Sequence, residues 1–354
     1  MDSLTQAVLG AGIQGAMLGR FQGRKALLAG AALATLPDLD VLIDYGDPVS
    51  GMINHRGFSH SLFVLTLLAG ALAWAMRRWR PSPLYGPGRL FLTLWLVLIT
   101  HPLLDAFTSY GTQLWWPLRP TPTAWSSVFI IDPFFTVPLL LVVLVGLVVG
   151  KHWRMQPAFC WALAWCAAYL AMSVGAKAVI EARVRRQLEA EGKAVAALFS
   201  TPQPFSILLW RVLARTDGDR YIETIAGLAD GAPGESLEAP LNSGLAGAVG
   251  DTPQLRGLRW FTGDWLRYDA IGNQLVVSDL RMGLGTGYYS FRFLVARRNG
   301  EGAPWTAVTP AYWHRERGLE EFPAVMRRIL RPDPPLPLHD WEALMTLQRG
   351  MSAR

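Results

Sequence analysis

The first 180 residues contain no glutamate, and their acidic groups are limited to Asp2, Asp38, Asp40, Asp44, Asp47, Asp105 and Asp132. Over the whole chain only 17% of residues are charged, well below the roughly 25% usual for soluble globular proteins. Cysteine is nearly absent: Cys160 and Cys166 share one apolar run, which excludes a disulfide framework and a cysteine-based zinc site. The opening MDSLTQ lacks the basic stretch of a cleavable signal peptide, so membrane insertion is expected to rely on the spanning helices themselves. What fills the chain instead is apolar. Hydrophobic residues reach 51% and mean hydropathy is +0.23, the modest positive value expected when only part of a chain sits in lipid. A net charge of +6 could suggest nucleic acid, but the basic residues are spread among 15 tryptophans and long apolar runs. An anionic membrane surface is the expected counterpart, and nucleic acid is not an expected partner.

Apolar runs fall at about residues 4–19, 26–43, 61–76, 90–107, 128–150 and 158–180. A spanning helix takes about 17–25 residues, so six spans are expected, or four if the first two form a re-entrant or interfacial pair. Arg20, Arg24, Lys25, Arg77, Arg78, Arg80, Arg89, Lys151 and Arg154 fall in alternate loops, which the positive-inside rule places in the cytoplasm. The aspartates and His55, His60 and His101 then gather at the opposite, outer ends. Trp115, Trp116 and Trp125 read as an interfacial belt. The expected architecture is a multispanning α-helical membrane bundle over residues 1–180 and an amphipathic connecting helix over 181–200. A smaller soluble α+β domain follows over 201–330, then a Pro-rich link and terminal helix over 331–354. Within the soluble part FSILLWRVLA, RYIETIAGL, QLVVSDL and YYSFRFLVA predict antiparallel strands, and DGAPGESLEAPLNSG a flexible loop. The topology expected is a multi-pass protein of the bacterial cytoplasmic membrane with its soluble domain outside.

Ionisable groups at membrane depth are expensive unless paired, hydrated or bound to a cation. In LPDLDVLID, Pro37 interrupts a helix and frees backbone groups that must be satisfied inside protein, so Asp38 and Asp40 can face a polar cavity. In HRGFSHS, His55 and His60 can share an ion, or one can bind it while the other moves protons, and Arg56 between them suits a phosphate or carboxylate. In THPLLDAFTSYGT, His101 and Asp105 are four apart and share a helix face if the helix stays regular through Pro102, with Ser109, Tyr110 and Thr112 at the outer rim. Carboxylates mixed with imidazoles suit Zn²⁺ first, with Mn²⁺ or Fe²⁺ as alternatives. The expected metal ligands are thus His55, His60, His101, Asp105, Asp38 and Asp40. Asp38 or Asp40 would orient or deprotonate water, and Arg56 would stabilise an anionic substrate. Asp2, Gln6 and Asp132 are further candidates at the same face, whereas Asp44 and Asp47 read as loop residues and His152, His314 and His339 as surface residues.

The ordered set MDSLTQAVLGA, PDLD, HRGFSHS and THPLLDAFTSYGT covers about the first half of the chain. It resembles the LexA-regulated, membrane-bound metal-dependent hydrolases of bacterial inner membranes. That resemblance implies a multispanning bundle with a His/Asp metal site, and a hydrolase distantly similar to zinc-dependent phospholipases C. The matching positions are Asp38, Asp40, His55, His60, His101 and Asp105. Many relatives carry MDxxTH at the start, where this chain has Gln6. WRVLARTDGDRYIE and VSDLRMG look like parts of a long-form branch of the same family. The expected function is hydrolysis of a phosphoester in a lipid or lipid-linked compound at the outer face. Two alternatives stand beside it: a metal-independent enzyme like the phosphatidic-acid phosphatases, and a non-enzymatic metal transporter or membrane scaffold.

Overall fold

The computed structural model describes residues 1–231, 234–284, 289–313 and 321–346. Two compact units divide the chain: Met1–Ile43 with His55–Ser173, and Asp44–Asn54 with Val174–Arg354. The first is helical. Helix α1 (Ser3–Gln22) is capped by Asp2, whose carboxylate accepts the Thr5 N–H, and it packs on α2 (Arg24–Ala34). Close approach follows from glycine: a methyl added to Gly30 would run into the Gly10 carbonyl, and one on Gly10 would strike Ala34. Pro37 lacks an N–H, and beyond α2 the backbone tightens into a 3₁₀ turn over Pro37–Leu42. A second 3₁₀ turn, Phe58–His60, leads into α4 (Leu62–Trp79), after α3 (Pro48–Asn54) has folded with the other unit. Helices α5 (Pro87–Ala106), α6 (Pro133–Val149) and α7 (Met155–Ala190) follow.

Among the described residues three helices, α4, α5 and α7, are long and apolar enough to cross a membrane, and α6 is a 17-residue apolar helix. Six spans are therefore not supported. Helix α2, the second expected span, has 11 residues and a length of about 16 Å, roughly half of a 30 Å hydrocarbon layer. Helix α1 has the length but carries Gln6 and Gln14, and most of its surface is covered by α2, α5 and α6. Lipid-facing character lies elsewhere: Leu67, Trp74, Leu141, Val148 and Trp161 are exposed on α4, α6 and α7. Trp115 and Trp125 are also exposed, and Trp116 partly so.

The second unit is a soluble domain of two antiparallel sheets. Strands β1 (Ala197–Pro202), β2 (Leu209–Thr216), β3 (Arg220–Gly227) and β4 (Glu235–Pro240) form the first sheet in sequence order. The second contains β5 (Leu266–Ile271), β6 (Gln274–Asp279), β7 (Arg292–Arg297) and β8 (Thr306–Tyr312). Helices α8 (Gly244–Val249) and α9 (Pro253–Thr262) connect the sheets, and α10 (Phe322–Leu330) and α11 (Leu338–Ala343) follow the second. Period-two alternation explains why β2 is buried on both faces. Trp210, Val212 and Ala214 pack with Ile180, Val184 and Leu188 of α7, while Leu213 joins Tyr221, Trp265 and Leu280 in another cluster. Beside Leu213 lies a buried polar layer, where Arg211 donates to Glu223 at 2.9 Å and to the Tyr289 hydroxyl at 3.1 Å. The segment expected to be a flexible loop contains β4, whose register with β3 pairs Thr224 with Ser236. In this unit α3 packs with α9 and β8, and Ile53 lies over Gly257.

Two stability outcomes follow from this packing. Gly30→Leu should lower the unfolding midpoint of the detergent-purified protein, because overpacking costs about 1–3 kcal/mol or more. Arg211→Met should strand the fully buried Glu223 carboxylate and destabilise the protein by about 3–5 kcal/mol, measured by denaturant unfolding.

Candidate metal centre

Four side chains from three segments of the helical unit converge: Asp38, His60, His101 and Asp105 each offer one donor atom, and these atoms lie within 4.8 Å of one another. His60 Nε2 is 3.5 Å from Asp38 Oδ1 and 3.3 Å from Asp105 Oδ2. His101 Nε2 is 3.3 Å and 3.6 Å from the same two oxygens. Charge-assisted hydrogen bonds are shorter, at about 2.7–2.9 Å. Donors spaced about 3.3–3.4 Å apart are instead what a tetrahedral ion with bonds of about 2.0–2.1 Å requires. His60 Nε2, His101 Nε2 and Asp105 Oδ2 are buried without a hydrogen-bond partner, and so is the neighbouring Gln6 Oε1. This donor set could hold a divalent cation.

Local structure aims each donor. The carbonyl of Ala34, in the last turn of α2, accepts His101 Nδ1–H at 2.6 Å. That bond fixes the tautomer and leaves the Nε2 lone pair facing the group. Helix α5 runs unbroken through Pro102, so His101 and Asp105 share one face. His60 is held from its other nitrogen: Nδ1 lies 2.9 Å from Ser59 Oγ, and Ser59 donates in turn to Asp40 Oδ2 at 2.6 Å. Burial alone would lower the His60 pKa, but the Asp105 and Asp38 carboxylates outweigh it and raise it.

Asp40 and His55 lie outside the four-residue group. Asp40 Oδ1 accepts from His55 Nδ1 at 2.8 Å, and Oδ2 accepts the Arg56 backbone N–H at 2.9 Å as well as the Ser59 hydroxyl. Its oxygens are thereby engaged in holding the 55–59 turn, where Arg56 adopts the left-handed conformation with φ 59°. The spacing of PDLD cannot distinguish these two aspartates, because the difference is which partner each meets. Arg56 is buried, with Nε 3.2 Å from Asp105 Oδ2, Nη1 3.4 Å from Thr108 Oγ1 and its guanidinium over the Tyr110 ring.

Gln6 reaches the group through Nε2, which donates to Asp105 Oδ1 at 3.0 Å and to the His101 carbonyl at 3.2 Å. The Met1 amino group also pairs with Asp105. The remaining candidates serve elsewhere. Asp2 caps α1, and Asp132 caps α6 while accepting from the Tyr169 hydroxyl at 2.7 Å. Asp44 accepts from Gly46 N–H in an exposed loop and Asp47 from Val49 and Ser50 N–H at the start of α3. Ser109 is half-buried, while Tyr110, edge-on to His55, and Thr112 are buried. His152 and His339 are exposed, and His314 lies outside the described residues. Sequence reasoning missed Ser59 and Thr108 as partners; the signal for Ser59 was its place directly before His60.

A helical unit with three membrane-length helices and a cluster of buried His and Asp donors defines an integral membrane protein with a candidate divalent-metal centre. The YdjM inner membrane protein family matches residues 1–180, about half of the chain and all of these donors, and the chain belongs to that family. It is 40% identical over 94 residues to inner membrane protein YbcI of Escherichia coli, covering 25% of this chain and 51% of that protein. It is 31% identical over 145 residues to the uncharacterized protein YfhP of Bacillus subtilis, covering 38% of this chain and 42% of that one. The matches span about half the length of these curated relatives. No solved structure matches the chain. Family and apolar helices together support location in the inner membrane.

Removing donors should act on metal before it acts on fold. His60→Ala and His101→Ala should each lose stoichiometric zinc while inserting normally, and Ser59→Ala should weaken zinc affinity about 10–100-fold. Metal analysis after equilibrium dialysis against zinc buffers reads all three. Unchanged zinc content in both histidine variants would remove them from the site.

Proposed function

We propose that this protein is a metal-dependent hydrolase of the inner membrane, acting on a phosphoester of a lipid or lipid-linked compound at the outer face. The observation that carries the reading is the set of inward-facing donors without hydrogen-bond partners on His60, His101 and Asp105 beside a buried arginine. Asp38, His60, His101 and Asp105 would hold the ion, with zinc the best match to two imidazoles and two carboxylates. When bound, such an ion acidifies water and polarises a phosphoryl oxygen.

The chain's own groups supply the rest. Arg56 presents its remaining guanidinium donors to an anionic substrate, while its contact with Asp105 and the Tyr110 ring fix its plane. Asp38, with 23% of its side chain open, links the group to the surroundings and is placed to take a proton from an entering water. Asp40 acts as a positioning carboxylate through Ser59 and His55 rather than as a ligand. The partly open His55 is paired to Asp40 at the rim of the group. Charge supports an outward-facing site: the ends of the helices remote from the donors carry Arg20, Arg24, Arg77, Arg78, Lys151 and Arg154, the pattern expected of cytoplasmic ends. The soluble domain is assigned to the same, periplasmic side. The resemblance to LexA-regulated membrane hydrolases supports the same reading.

Purified full-length protein in nanodiscs should hydrolyse the probe diester bis(p-nitrophenyl) phosphate, lose this activity to a chelator and regain it with zinc. Arg56→Gln should retain zinc yet reduce turnover about 10²–10³-fold. Hydrolysis indifferent to chelator would favour the metal-independent phosphatase reading. Zinc uptake into proteoliposomes, with no hydrolysis of the diester or of inner-membrane lipid extract, would favour transport.

A further inference from the structure

A second site lies in the helical unit at the end of α1 remote from the metal donors. Gly15 and Gly19, four residues apart on one face of α1, and Gly23 at its C-terminal cap face Leu27, Phe159 and the turn from Gly150 to Met155 across a cavity of about 210 Å³. Its inner wall is tight, since a methyl on Gly15 would stand 2.7 Å from the Phe159 ring and 2.8 Å from Leu27. Gly19 differs: a methyl there would meet nothing within 4 Å. The mouth is basic and aromatic, formed by Arg20, Lys151, His152 and Trp153 with Gln156. Arg20 lies over the Phe21 ring, and among the described residues neither Arg20 nor Lys151 has a carboxylate partner. None is near in sequence either, because between Asp2 and Asp38 and between Asp132 and Glu181 the chain has no acidic residue.

We propose that this cavity binds a phosphate-bearing anion, either the headgroup of an anionic phospholipid in the cytoplasmic leaflet or free phosphate. Two exposed cations without carboxylate partners, set at the mouth of a partly open cavity, match a group that carries one to two negative charges. The volume is below the roughly 300–1,000 Å³ of sites that enclose drug-sized ligands, so it admits a headgroup and leaves acyl chains outside. Adjoining turns offer those chains a surface, with Val148, Val149 and Trp161 exposed. Trp153, stacked on His152 and beneath the Arg154 guanidinium, supplies the amphipathic ring suited to this depth.

A diffuse basic surface also prefers anionic lipid, so the test must separate the cavity from the charge. Full-length protein in nanodiscs is titrated with brominated-chain phosphatidylglycerol or phosphatidylcholine, and Trp153 quenching is read as the difference from Trp153→Phe. A separate arm adds inorganic phosphate to protein in neutral detergent and reads Trp153 emission. The expected result is at least tenfold preference for phosphatidylglycerol, lost both in Gly19→Leu, which fills the space with every charge kept, and in Arg20→Gln/Lys151→Gln. Saturable phosphate binding lost in the same variants would identify free phosphate as the source. A lipid preference without it would identify the headgroup. If Gly19→Leu keeps the full preference and helicity shows it folded, charge alone is responsible and the proposal falls. It falls equally if the wild-type protein does not discriminate and binds no phosphate. Should Gly19→Leu fail to fold, Gly19→Ala with the double glutamine variant decides in its place: a preference intact in both overturns the site.

Discussion

The helical unit is governed by the need to keep two imidazoles, two carboxylates and a guanidinium satisfied among apolar helices. His60, His101 and Asp105 are each 0–1% exposed, and Arg56 is nearly as deep. A polar network that is only partly satisfied is worse than an apolar core. Here the second ring nitrogens of both histidines and both oxygens of Asp40 are hydrogen-bonded, while His60 Nε2, His101 Nε2 and Asp105 Oδ2 point together without hydrogen-bond partners, as do the adjacent Gln6 Oε1 and Arg56 Nε. The imbalance is concentrated at one point, and a cation at that point would remove it. Departures from regular backbone cluster around the same place: the Pro37 turn, the left-handed Arg56 and the 3₁₀ turn carrying His60. Sequences that follow local rules elsewhere tend to break them where function requires it.

Aspartate and histidine take different places in this arrangement according to what lies behind them. His101 leans on a helix-terminal carbonyl, and His60 on a serine that itself leans on Asp40. Each backing bond leaves one ring nitrogen with its lone pair toward the centre. Asp40 therefore matters through orientation, holding the histidine turn by its backbone and side chains at once. Such backing groups in metal sites commonly change affinity by one to two orders of magnitude without touching the ion.

Much of this was legible in the sequence, and the rest was hidden for definite reasons. Rare charges in long apolar runs marked Asp38, His60, His101 and Asp105, because lipid-facing helices have no other use for them. The i, i+4 spacing of His101 and Asp105 left a shared face and a kink at Pro102 equally open, and the unbroken helix provides the shared face. Spacing could not separate Asp38 from Asp40 or His55 from His60, since those differences come from tertiary hydrogen bonds. The number of spans was overread because composition does not show that α2 stops at Ala34. Nor does it show that α1 is covered by protein rather than lipid. In the soluble domain the β-rich runs announced β2, β3, β6 and β7, whereas the Glu and Pro of β4 disguised a strand stabilised by its pairing with β3.

The chain passes between the two units three times. Residues 44–54 leave the helical unit between the turn bearing Asp38 and Asp40 and the turn bearing His55 and His60. Within the soluble unit α3 is anchored by Val49, 1% exposed, and by Ile53 over Gly257. A free loop of that length would sample many conformations, and the entropy of closing it would oppose the Asp40–His55 and Asp40–Ser59 bonds that join its ends. Helix α7 makes the third connection, continuing without a break through residues 173 and 174. Residues 44–54 of the second unit thus lie in sequence between Asp38 and His60, while the rest of that unit follows all four donors.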